Sequence, residues 1–328
     1  MKKRFFACIF LAVSTLTQAQ LVQKDLAYFM NKCPFPFSVK EPIFKAANYY
    51  VKDFGAIADG KTINTAAIAK AITTCNSNGG GKVIFTAGKW ITGPIELLSN
   101  VNIVVEKDAL IQFSENRNLY PIIKAGKNSN TLTPASPIYA YEATNIAITG
   151  EGTIDGAGDS WRPVKKNKVS DALWNKLLAS GGIVSSDGKI WWPSVDAMNG
   201  EDYLKNIKGK STKPEDYLPA RDFLRPYMVF FVGCSNILLD GVRIQNSPKF
   251  IFYPSRCNNL TIKNANFYND WWAQNGDGID ISACKNVAIF NTIVSVGDDA
   301  ICMKSSGTNS NADDANLENV LIANCTVY

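Results

Sequence analysis

Two short stretches carry the residues best able to do chemistry: QNGDGIDIS at 274–282 and VGDDAICMK at 296–304. Together they hold Asp277, Asp280, Asp298 and Asp299 among glycines and short apolar alternations. Carboxylates this dense repel, so the cluster must be solvated, bind a cation, or use the repulsion. The last case is chemically useful: like charges a few ångströms apart raise at least one pKa, leaving a protonated acid beside ionised bases. Hydrolysis of a glycosidic bond needs that combination. A calcium site and a solvated acidic turn stay open beside it, although EF-hand spacing is absent.

The chain has no histidine. Ser-His-Asp and Cys-His catalysis and His-ligated zinc are therefore excluded, and no C-x-x-C pair exists. Acid–base work falls to carboxylates, Lys, Tyr or Cys. A net charge of +5 suits a polyanionic ligand, but no Lys/Arg run is long enough to suggest nucleic acid.

What could position the aspartates is a repeat. The pattern Asn, apolar, any, apolar begins at Asn100, Asn145, Asn236, Asn259, Asn286 and Asn319. The intervals are 45, 91, 23, 27 and 33 residues, most of them near multiples of a coil of about 23. A second alternation follows in the later units, at Val242/Ile244, Ala265/Phe267, Thr292/Val294 and Cys325/Val327. Period two without helical periodicity predicts an all-β fold, a right-handed parallel β-helix over 45–328 whose coils stack about 4.8 Å apart. Cys234, Cys257 and Cys284 each precede a repeat asparagine by two residues, as a ladder of buried small apolar groups requires. In that frame Asp277 falls over Asp299, 22 residues on, with Asp298 alongside, at an expected spacing of about 5–7 Å.

Three segments lie outside the repeat. Asn64 to Asn76 reads as a helix with Ala67, Ile68, Ala71, Ile72 and Cys75 on one face, capping the N-terminal end of the solenoid. Residues 157–227 lack the asparagine pattern and are expected to project as an insertion whose tryptophans, Trp161, Trp174, Trp191 and Trp192, form its own core, with stacking on sugar rings as the alternative. Lys2, Lys3 and Arg4 before the apolar run Phe5–Val13, with Ala19 at a cleavage site, mark residues 1–19 as a signal peptide. The expected product is a periplasmic or secreted monomer without a membrane span. Loss of the leader leaves seven cysteines, for which a Cys33–Cys75 bridge is one possible pairing. The polar run Asn309–Asp314 reads as a solvated loop.

The stretch NGDGID, then GDD with Lys304 beyond, resembles glycoside hydrolase family 28, the polygalacturonases. VKDFGAIADGKTINTAAIAKAI and GGGKVIFTAGKWITGPIEL are similar to the capping start of bacterial members, and RPYMVFFVGCSNILLDGVRIQNSP to their central coils. The resemblance implies cleavage of α-linked galacturonic acid in a pectic polysaccharide or oligogalacturonide by inversion, without a cofactor or metal. It implies Asp298 as general acid, and Asp277 and Asp299 as the pair that holds and deprotonates water. Asn275 matches the family's Asn-Thr-Asp motif, with Gly276 in place of Thr, and Asp280 is expected behind the three acids. Asn275, Lys304, Arg256 and Arg225 are the candidate substrate contacts, with Arg243 and Lys249 as further candidates for uronate carboxylates. The family's later coils carry Gly-His-Gly and Arg-Ile-Lys, which this chain lacks. C-terminal coils are therefore expected to be missing, and the truncated chain to be inactive or impaired. The rival readings are a calcium-dependent pectate lyase and a carbohydrate-binding β-helix without catalysis.

Overall fold

The computed structural model describes residues 24–207, 209–305 and 316–328; the expected leader and the run Asn309–Asp314 lie outside them. Most of the chain winds into three parallel sheets of eight, six and eight strands, each ordered along the solenoid as the sequence runs. The result is the expected right-handed parallel β-helix. Its interior consists of aligned ladders, one of them Ile148, Leu239, Ile262 and Ile289 in successive coils, all fully buried. Each such side chain contributes about 1.5–3 kcal/mol through burial.

The repeat asparagines explain the turns. Asn100, Asn145, Asn236, Asn259, Asn286 and Asn319 all take left-handed backbone conformations, φ 53–62°, which Asn tolerates better than most residues. Their amides bond coil to coil: Asn145 to Asn100, Asn236 to Asn145, and Asn259 to Asn236, at 2.9–3.2 Å. The ladder steps sideways once, where Asn286 donates to Asn258. A second ladder, absent from the sequence reading, joins Asp240, Asn264, Asn291 and Asn324.

The cap is the helix Thr65–Ser77, with Ile68, Ala71, Ile72 and Cys75 buried. Asn64 precedes it, but its side chain does not cap the helix. It holds the neighbouring loop instead, bonding Ile57, Thr62 and Ile91. Gly80, at φ +102°, ends this element where a Cβ would lie 2.4 Å from the Asn100 carbonyl oxygen.

Between Thr153–Asp155 and Val229–Val232 the chain leaves the coils for three short antiparallel strands and the helices Asp171–Ala179, Val195–Ile207 and Arg221–Leu224. Trp174 and Trp191 pack with Val164 in a small core. Trp161 is fully buried against Tyr120, with the Arg117 guanidinium 3.6 Å from its ring centre.

One expectation is corrected. Cys33 and Cys75 are both free thiols, since Cys75 faces the core from the buried side of the cap helix while Cys33 lies on the N-terminal segment. Cys234, Cys257 and Cys284 are the buried ladder expected. No helix among the described residues is long and apolar enough to cross a membrane.

Candidate active site

The six-stranded sheet positions the acids. Its strand Ile279–Ser282 lies between Phe252–Ser255 and Ile301–Lys304, with Ile279 paired to Ile301. The Gly278 amide donates to the Asp299 carbonyl and the Ile279 amide to that of Ala300, both at 2.9 Å. Asp277 and Asp299 thus occupy equivalent places in consecutive coils, two residues before the paired isoleucines. One side-chain oxygen from each of Asp277, Asp298 and Asp299 lies within 4.8 Å of the others. The convergence is tighter than the separation expected from the repeat.

The three carboxyls differ in environment. Asp277 is 6% exposed, and its Oδ1 has no hydrogen-bond partner among the described residues, whereas Asp298 and Asp299 are exposed. Burial, then the charges of Asp280 and Asp298, push the Asp277 carboxyl up to about 7. Asp277 is therefore the carboxyl of the three that its surroundings hold up towards neutrality.

Asp280 sits behind them, fully buried, with Lys304 Nζ donating to its Oδ1. Burial pushes Asp280 upward and the Lys304 contact pulls it back. Desolvation is the largest single effect on Lys304 and lowers it, yet the hydrogen bond and charge of Asp280, with Cys302 and Asp277, together raise it. The pair holds as an ion pair because both effects of the contact favour charge. The Lys304 ammonium, expected on substrate, is thus already engaged.

Arg225 is engaged as well. Its Nη2 donates to Asn275 Oδ1 at 2.9 Å and its Nη1 to the Gln274 carbonyl at 3.0 Å. Both expected contact residues therefore meet beside the acids, as clamp and clamped loop. Asn269, which the sequence did not single out, ties the same loop down, donating to Ser247 Oγ and the Gly276 carbonyl. Gly276 fits this closure: a Cβ there would lie 2.8 Å from the Ala273 Cβ and 3.1 Å from Asn269 Nδ2. Glycine replaces the family's threonine where the turn has no room.

The other basic candidates separate. Arg256 is exposed at the far end of its strand from the acids, lining a different hollow with Lys127, Glu142 and Gly233. Arg243 lies on another sheet, over the Tyr268 ring and bonded to Gln245. Lys249 is at the site, its ammonium 4.9 Å from the Tyr227 ring centre and 5.7 Å from that of Phe250. Lys304 lies 4.7 Å from the same Phe250 ring. Tyr227 also packs on Phe230, Phe250 and Tyr253, forming an aromatic floor that sequence alone did not reveal.

This arrangement places one buried carboxyl, raised towards neutrality, and two exposed ones beside basic groups at the edge of the six-stranded sheet. A model of glycosyl hydrolases family 28 matches residues 165–328. A probable polygalacturonase of Vitis vinifera is 25% identical over 263 residues, covering 77% of this chain and 43% of that protein. An exo-poly-alpha-D-galacturonosidase of Dickeya chrysanthemi is 28% identical over 260 residues, 76% of this chain and 41% of its own. Among solved structures, a hyperthermoactive exopolygalacturonase from Thermotoga maritima superposes with a TM-score of 0.67 at 27% identity, covering 88% of this chain and 62% of that one. The chain spans about half the length of the curated relatives it matches.

Proposed function

The chain belongs to glycosyl hydrolase family 28, and we propose that it hydrolyses α-linked galacturonic acid bonds in pectin. The observation that carries this reading is the triad of carboxyl oxygens within 4.8 Å, one buried and two exposed. Asp298, facing solvent, protonates the leaving glycosidic oxygen. Asp277 and Asp299, stacked in consecutive coils, hold a water and take its proton. An acid for the leaving group and two carboxylates for the water are the roles this hydrolysis needs, and the three side chains lie close enough to share them.

Inversion rests on the family resemblance and not on this spacing. Inverting pairs usually stand about 6.5–9.5 Å apart and retaining pairs about 5–5.5 Å, whereas the closest oxygens here lie within 4.8 Å. A third carboxylate relaxes the requirement, because water can be held by two acids on one side of the triad while the third serves the leaving group. Proton NMR of the first-formed reducing end decides between the two outcomes.

Tyr227, at the end of the projecting segment, covers Phe230, which is 5% exposed, on the side of earlier coils. The basic, apolar leader supports export to the periplasm or outside. Calcium-dependent elimination and binding without turnover are less well supported, since the named relatives are galacturonan hydrolases. The test is release of reducing ends from polygalacturonate by the wild-type chain and its loss in a folded Asp298→Asn variant. Retained turnover in that variant would remove Asp298 from the acid role.

A further inference from the structure

Five basic side chains were expected to meet substrate carboxylates, and four have other engagements. Lys304 is bonded to Asp280, Arg225 to Asn275 and Gln274, Arg256 lines a separate hollow, and Arg243 belongs to another sheet. Lys249 differs. Its ammonium rests on the rings of Tyr227 and Phe250. Among the described residues no carboxylate lies within 4.0 Å of it. No hydrogen bond from it is found there either.

That position is costly for an unpaired cation. Removal from water penalises the charge, and Arg225 and Lys304 add repulsion that Asp277 and Asp280 offset only in part. Burial first, then Arg225, bring the ammonium down to about 8. A cation–π contact supplies about 0.5–2 kcal/mol and a fixed direction, but no protein acceptor for the hydrogens of this half-buried ammonium among the described residues. An incoming carboxylate would supply those acceptors and the missing charge together. Lys249 precedes the strand Phe252–Ser255, one coil before the strand that carries Asp280. Its backbone therefore lies one coil, ~4.8 Å, before Asp277 and two coils before Asp298 and Asp299 along the solenoid, on the side where a sugar neighbouring the scissile bond would lie.

Building on the proposed hydrolase reading, we propose that Lys249 is the residue that selects a free uronate. Its ammonium, oriented by Tyr227 and Phe250, bonds the C6 carboxylate of the sugar over that coil and discriminates against the methyl ester. An ester keeps the carbonyl acceptor but loses the charge, so the difference should equal one charge-assisted hydrogen bond, roughly 10- to 150-fold in affinity.

The test is calorimetric binding of trigalacturonate and of its methyl ester to the Asp298→Asn chain, with and without Lys249→Met. Methionine keeps an apolar stem on both rings while removing the charge. The expected result is a 10- to 150-fold loss for trigalacturonate, little change for the ester, and recovery with Lys249→Arg. In the active background KM should rise for the acid while kcat stays nearly constant. Equal losses on acid and ester, or no loss on either, overturn the proposal. A chain that binds trigalacturonate with this discrimination yet never cleaves polygalacturonate refutes the hydrolase reading and leaves Lys249 in its role. Absence of any trigalacturonate binding sinks both.

Discussion

Replacing Asp298 by asparagine should lower the pKa of Asp277, quite apart from its effect on turnover. Asp277 is pushed up to about 7 by burial, then by Asp280 and Asp298, and the oxygens of Asp277 and Asp298 lie within 4.8 Å. At that distance two unit charges repel by about 0.9 kcal/mol in bulk water and about 3.5 kcal/mol at an effective dielectric of 20. Divided by 1.36 kcal/mol per unit, these limits predict a fall of about 0.6 to 2.5 units in Asp298→Asn. Because Asp298 is exposed, the lower half of that range is expected. Carbon-13 NMR of aspartate carboxyls, titrated from pH 4 to 9 in both proteins, reads the shift directly. The direction is fixed by the mechanism: losing a neighbouring negative charge makes ionisation of Asp277 easier. An unchanged or increased Asp277 pKa, with the fold intact, would refute the electrostatic coupling of Asp277 to Asp298.

Two further outcomes follow from the supporting structure. Lys304→Met removes the partner of the fully buried Asp280, raising its pKa beyond the increase already caused by burial. An acid raised above its unfolded value costs stability as pH climbs from the unfolded to the folded pKa, so the variant's melting temperature should fall more at pH 8 than at pH 5. An equal deficit at both pH values would show that the pair is not ionic. Asn236→Ala removes amide bonds to Asn145 and Asn259 and forces alanine to φ 53°. The cost should be about 2–4 kcal/mol, seen as a lower denaturant midpoint at unchanged slope; a change below ~0.5 kcal/mol would mean the ladder is ornamental.

The coil register was legible because period-two alternation and a left-handed asparagine turn leave a local mark on the sequence. Aligning Ile279 with Ile301 was enough to bring Asp277 over Asp299. The second ladder was also written there, five residues after the first at Asn264, Asn291 and Asn324, but Gly241 interrupts the series and hid it. The basic residues were not legible in the same way. Whether a Lys or Arg faces substrate depends on what else is within reach: Asp280 for Lys304, and a loop carbonyl and Asn275 for Arg225. Arg256 illustrates the same limit, since its distance from the acids is set by the strand's direction. Tyr227 is placed by the same coil register, since Val229 lies over Phe252 and Phe252 over Ile279, which sets Tyr227 and Phe250 in line with Asp277. The raised pKa of Asp277 was invisible, because its first cause is burial, and the repeat makes Asp277 and Asp299 equivalent while only Asp277 is buried.

The most direct measurement follows purified chain and polygalacturonate in the presence of a calcium chelator, recording reducing ends and ultraviolet absorbance together. Hydrolysis by Asp277, Asp298 and Asp299 predicts reducing ends at an undiminished rate, no rise in absorbance, and no release with Asp298→Asn. Release that stops with chelator and gives an ultraviolet-absorbing product would contradict it, because elimination at a metal site would then be the chemistry of these carboxylates.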